Sequence, residues 1–163
     1  MKDSEGYFEL TGAAAVTLIG LLFVVITLAA QSPQRGDRRL AQTFLTPTSV
    51  HLGVVLLIAL LALSPEGDNL ILPFGLIGVA CLVYSLVVAV KAAREEGLFS
   101  DAWLFHGGSP LVCYAGIVTA AWLSVTSLSE AYLVLRAVSA LLLVTGMRNG
   151  WAAASEVAHR SLK

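Results

Sequence analysis

Five long apolar runs, at residues 7–30, 45–63, 70–90, 102–125 and 131–147, occupy most of the 163-residue chain. A helix rises about 1.5 Å per residue, so roughly 20 apolar residues cross the ~30 Å hydrocarbon core of a bilayer, and each run is near that length. The runs predict an all-α fold: a polytopic transmembrane bundle of about five spans, forming a single domain over residues 1–163. Outer-membrane strands alternate polar and apolar positions, whereas these runs are continuously apolar and rich in Leu and Ala, which argues against a β-barrel. The whole chain is 57% apolar and 13% charged, with a mean hydropathy of +0.81, and this excludes an ordinary soluble domain of its size. Ten Lys and Arg against eleven Asp and Glu leave no basic field to hold nucleic acid.

Threading follows from the basic residues, because Lys and Arg beside spans stay on the cytoplasmic side. The connections after the first and third spans, with the C-terminal tail, carry Arg35, Arg38, Arg39, Lys91, Arg94, Arg148, Arg160 and Lys163; the opposite side carries Lys2. This predicts an N-terminus outside, a C-terminus inside and an odd number of spans. Five spans do not divide into equal halves, so the inverted-repeat plan of many secondary transporters is hard to fit. The N-terminal segment is acidic and leads into an apolar run of full spanning length, so the first segment is expected to be retained rather than cleaved.

Membrane helices associate through close packing, and stripes of small or weakly polar residues mark the sides that approach one another. Such stripes run along the first span (Glu9, Ala13, Thr17, Gly20, Val24, Thr27), the third (Gly78, Cys81, Ser85, Ala89) and the fourth (His106, Ser109, Cys113, Gly116, Ala120, Ser124). The fifth carries Ser129, Tyr132, Arg136, Ser139, Leu143 and Gly146. Packing seams and a water-lined path use the same residues, so both readings stay open. The second span is almost wholly Leu, Val, Ile and Ala after Gly53, and is expected to present a broad lipid-facing surface. Gly107-Gly108-Ser109-Pro110 falls inside the fourth run and is expected to kink it.

Arg136 lies among Leu133, Val134, Leu135 and Val138. An arginine at membrane depth costs about 2.5–3.5 kcal/mol or more unless it is paired or reaches water, which makes it a functional residue by default. Glu9 is the acid best placed to pair with it, either as a structural tie or as part of an anion-attracting vestibule. His51 and His106 fall at similar distances from the cytoplasmic ends of the second and fourth spans. Two intramembrane imidazoles have the chemistry to relay a proton or to ligate a b-type haem through two axial bonds, although each alone also reads as a packing residue. Otherwise no cofactor or metal is expected, since Cys81 and Cys113 have no metal-type spacing. The chain has no G-x-S-x-G, no phosphate-binding glycine loop and no H-E-x-x-H, so an enzyme is not expected. Arg148-Asn149-Gly150-Trp151 reads as a headgroup anchor in which Gly150 is a turn residue.

Through Gly20-Leu21-Leu22-Phe23-Val24, Thr43-Phe44 and Arg148-Asn149-Gly150-Trp151, the chain resembles a loosely defined group of small, uncharacterised bacterial five-span membrane proteins. The resemblance implies a multi-pass protein of the bacterial inner membrane and carries no residue role. The resulting expectation is a homo-oligomeric pore or channel with Arg136 lining its outer vestibule. The alternatives are an accessory or scaffolding subunit of a larger membrane complex, and a haem protein using His51 and His106. Expected partners are the lipid bilayer and either further copies of the chain or another membrane subunit.

Overall fold

A computed structural model describes residues 2–31, 46–64, 71–96 and 108–161. They form five helices: α1 (Lys2–Gln31), α2 (Thr46–Ala62), α3 (Ile71–Glu96), α4 (Ser109–Thr126) and α5 (Leu128–Ser161). Four contain apolar stretches long enough to cross a membrane, Glu5–Thr27, Leu72–Val90, Ser109–Thr126 and Leu128–Ala152, while Pro47–Ala62 in α2 is shorter. In hydrocarbon no water is available to satisfy backbone N–H and C=O groups, and a helix satisfies them within the segment.

The long α5 is the element that both halves of the bundle share. On one side it packs with α1 and α2, on the other with α4, and α4 in turn packs on α3. One apolar core runs through all five helices, including Phe8, Val55, Ile58, Phe74, Ile117 and Leu142. Glycines set the closest approaches. A Cβ on Gly78 of α3 would stand 2.9 Å from Val118 Cγ2 and 3.1 Å from the Val118 backbone nitrogen of α4, and one on Gly116 would stand 2.7 Å from Val138 Cγ2 of α5. Leu52 of α2 fits against Gly146 of α5 in the same manner. Outward, Leu10, Phe23, Leu76, Val83, Trp122 and Leu133 are exposed, as a hydrocarbon-facing belt requires.

Two expectations are corrected. The second span was expected to present a broad lipid-facing surface, yet α2 is wedged inside the bundle with Thr48, His51, Leu52, Val54, Val55, Ile58 and Ala59 buried. Lipid and protein interior are equally apolar, so composition does not tell the two surroundings apart. The expected kink at Gly107-Gly108-Ser109-Pro110 begins in residues outside those described. Among the described residues α4 runs from Ser109, with Pro110 in its first turn. Gly150 is no turn residue, because α5 continues through it to Ser161. Between α4 and α5 the break is also tighter than the 126–130 connection implied: only Ser127 separates them. It is extended at φ −152°, ψ 97°; its N–H bonds Leu123 O at 2.7 Å and its carbonyl accepts Ala131 N–H at 3.1 Å.

Candidate functional site

Two polar groupings interrupt the apolar interior. The first is built on α2, α4 and α5. His51 follows the buried Thr48 at a three-residue step and precedes Val55 at a four-residue step, which puts all three on the inward face of α2. Tyr114 occupies the inward face of α4, and its Oη lies 2.5 Å from His51 Nδ1 with the rings 5.8 Å apart at 48°. Either the phenol donates to an unprotonated Nδ1 or Nδ1–H donates to the phenol oxygen, according to the tautomer. His51 is 1% exposed and Tyr114 0% exposed, so water does not compete for this bond. Nearby in the chain, Ser109 Oγ and Thr145 Oγ1 meet at 3.1 Å, linking the start of α4 to α5. One turn beyond Thr145, Asn149 is buried and its Nδ2 has no hydrogen-bond partner among the described residues; Ser139 Oγ is in the same condition.

The second grouping joins the N-terminal parts of α1 and α5. The Tyr7 hydroxyl donates to the backbone carbonyl of Arg136 at 2.8 Å, and Thr11 Oγ1 donates to the Tyr7 carbonyl at 3.0 Å. Phe8 lies edge-on to Tyr7 at 5.5 Å and tilted against Tyr132 at 6.0 Å, so aromatic packing fixes the crossing of the two helices here. Arg136 itself is half-buried. Two residues along a helix are about 200° apart, so with Tyr7 turned toward α5 its neighbour Glu9 points away, and Glu9 is exposed. α1 meets the Arg136 backbone carbonyl through Tyr7, while Glu9 lies on its exposed face.

The remaining candidates divide between inside and outside. Gly78, Ser85, Ser139 and Gly146 are buried between helices, and Gly116 and Ser109 are partly buried at helix contacts. Thr17 and Gly20 are not part of the seam within the protomer. They lie with Glu9, Ala13, Val24 and Thr27 on an exposed face of α1, while Phe8, Thr11, Gly12, Ala15 and Leu22 make its inward face. The hydroxyls of Thr17 and Thr27 bond back to the carbonyls of Ala13 and Phe23 at 2.9 and 2.7 Å, which lets both face an apolar surrounding. His106 falls outside the described residues. Among the described residues, no three His, Cys, Asp or Glu come together as a metal-binding group.

Sequence reasoning passed over Tyr7, Tyr114 and Thr145, and it read Asn149 as part of a headgroup anchor, whereas Asn149 is buried against the bundle. The one signal available for Tyr114 was its place beside Cys113 in the fourth stripe, and for Asn149 its position one turn beyond Thr145. No protein-family model, curated protein or solved structure matches the chain.

Proposed function

We propose that the protein is a homo-oligomeric assembly of the bacterial inner membrane, threaded with its N-terminus outside, in which the exposed face of α1 meets other copies and a permeation path forms with Glu9 and Arg136 at its outer mouth. The observation that carries this reading is the second small-residue face of α1. Ala13, Thr17 and Gly20 are exposed on the protomer although they have the chemistry of the buried seams, where Gly78 and Gly116 bring helices into contact. In lipid such a face gains most by packing against another helix, because small side chains let backbones approach. Glu9 stands at the head of this face, and the Tyr7 bond holds Arg136 near the same end of α1.

Oxidative cross-linking of Thr17→Cys in membranes tests the contact, with Val83→Cys on the exposed surface of α3 as the control. Cross-linked dimers from Thr17→Cys alone, and a closed homo-oligomer by native mass spectrometry, are expected. Bilayer recording then tests the path: Arg136→Gln should shift ion selectivity while the oligomer persists. A monomer without conductance overturns the reading, and capture of the α1 face by a different chain favours an accessory subunit instead.

A further inference from the structure

Asn149 is 1% exposed, yet its Nδ2 has no hydrogen-bond partner among the described residues. A buried donor without an acceptor is costly, so native structures keep very few, and those few mark bound water or a ligand. Its direction follows from its neighbours on α5. Thr145, one turn earlier, bonds Ser109 of α4, and Gly146 meets Leu52 of α2. At about 100° per residue, Asn149 lies roughly 40° from Thr145 and roughly 60° from Gly146, between the two. It therefore points into the wedge where α2, α4 and α5 come together.

From the other side α2 fills this wedge with polar groups. Gly12 of α1 stands against Ala59, and Leu22 packs with Leu52, so α2 runs opposite to α1. α1 and α5 run the same way, since Tyr7 is level with Arg136 and Leu22 with Gly150. One turn from Leu52 toward the start of α2 thus matches one turn from Gly146 toward the end of α5, which brings Thr48 level with Asn149. Thr48 is buried, and on α2 it lies between Leu52, which faces α5, and His51, which faces Tyr114 of α4. Thr48, His51, Ser109, Tyr114, Thr145 and Asn149 form one polar strip, and none of them carries a carboxylate or an amine.

The strip begins close to the end of the α5 span: Asn149 is three residues, about 5 Å, short of Ala152. From there it leads through Thr145 to the bond between His51 and Tyr114, where it ends. A groove of about 400 Å³ between α1 and α5, lined by Leu18, Leu22, Val25 and Met147 among others, is the opposite case, because such side chains give water nothing to bond. Water stays inside a protein where about two to four polar partners hold it, and the strip supplies them.

We propose that ordered water occupies this strip, accepts the Asn149 Nδ2–H bond, and carries protons between the aqueous side at the end of the α5 span and the His51–Tyr114 pair. Each exchange moves one proton from water to the pair and one back, so the pair returns to its starting protonation state. The route lies within one protomer and does not depend on the exposed face of α1.

The test uses the full chain in detergent micelles with Asn69→Ser, which leaves Asn149 as the sole asparagine, isotopically labelled at asparagine for NMR. A cross-peak from water to the Asn149 side-chain amide protons is expected. With the label on histidine instead, the His51 ring N–H is identified by its loss in His51→Leu. Its exchange with solvent should slow by about tenfold or more in Asn149→Leu, where only local opening admits water, and be retained in Asn149→Ser, whose hydroxyl still holds it. Circular dichroism verifies that the helices persist in both variants. An Asn149 amide with no water cross-peak overturns the site, and that reading needs no substitution at Asn149. Exchange in Asn149→Leu as fast as in the parent overturns the route, as does equal slowing in both variants.

Discussion

Gly78 and Gly75 lie one turn apart on α3, and their alanine variants isolate how much of the fold rests on one close approach. Replacing either glycine removes the same backbone freedom, worth up to about 1 kcal/mol in favour of the helix. At Gly75 an added Cβ meets nothing within 4 Å, so Gly75→Ala should be neutral or slightly stabilising. At Gly78 it would meet Val118 Cγ2 at 2.9 Å, the Val118 backbone nitrogen at 3.1 Å and Ile117 Cγ2 at 3.2 Å. The Val118 methyl can turn only at the expense of its rotamer, and the backbone nitrogen cannot turn at all, so α3 and α4 must separate. Overpacking of this kind costs about 1–3 kcal/mol, which exceeds the shared helix gain. Gly78→Ala should therefore be about 1–3 kcal/mol less stable than Gly75→Ala. Thermal unfolding of both variants in detergent, followed by circular dichroism, measures the difference. If Gly78→Ala unfolds at or above the temperature of Gly75→Ala, the α3–α4 approach is not glycine-limited and the seam argument fails.

Tyr114→Phe removes the phenol from a buried pair with His51 and should destabilise the protein by about 1–3 kcal/mol. A double-mutant cycle with His51→Leu should return a coupling of about 0.5 kcal/mol or more, and independent effects would show that the contact carries no energy. Tyr7→Phe gives up the 2.8 Å bond to the Arg136 carbonyl, which the next turn of α5 also uses, and a smaller loss of about 0.5–1.5 kcal/mol is expected by the same melting assay. In the folded protein Cys81, half-buried, should react with a small maleimide before Cys113, which is buried; mass spectrometry of the labelled peptides gives the order, and the reverse order would contradict the packing of α4.

Hydropathy made the helices legible. The runs at 45–63 and 70–90 lie within about six residues of α2 and α3 at every end, because in an apolar medium a continuous apolar segment has few alternatives to a helix. The seams on α3, α4 and α5 were legible for a related reason: small residues at three- and four-residue steps let helices meet, and Gly78, Gly116 and Gly146 are found at such meetings. The same pattern on α1 did not say which of its two small-residue sides turns inward. Gly12 and Ala15 on one side and Ala13 and Thr17 on the other are equivalent by composition, and only the docking of Phe8, Leu22 and Gly12 distinguishes them.

The sequence by itself determined the helical class and the approximate places of the five described helices, four of them long and apolar enough to cross a membrane, since these follow from local hydropathy and the need to satisfy every backbone group. Tertiary structure decided which faces pair. It turned one face of α2 inward, set Tyr7 against the Arg136 backbone carbonyl while leaving Glu9 exposed, joined His51 to Tyr114 and left a groove beside Gly150. The physical reason is that water distinguishes an inside from an outside in a soluble chain, whereas lipid and protein interior are alike to a leucine. Shape and hydrogen bonding between helices far apart in sequence then select the inward face, and neither is written in the hydropathy of a single segment.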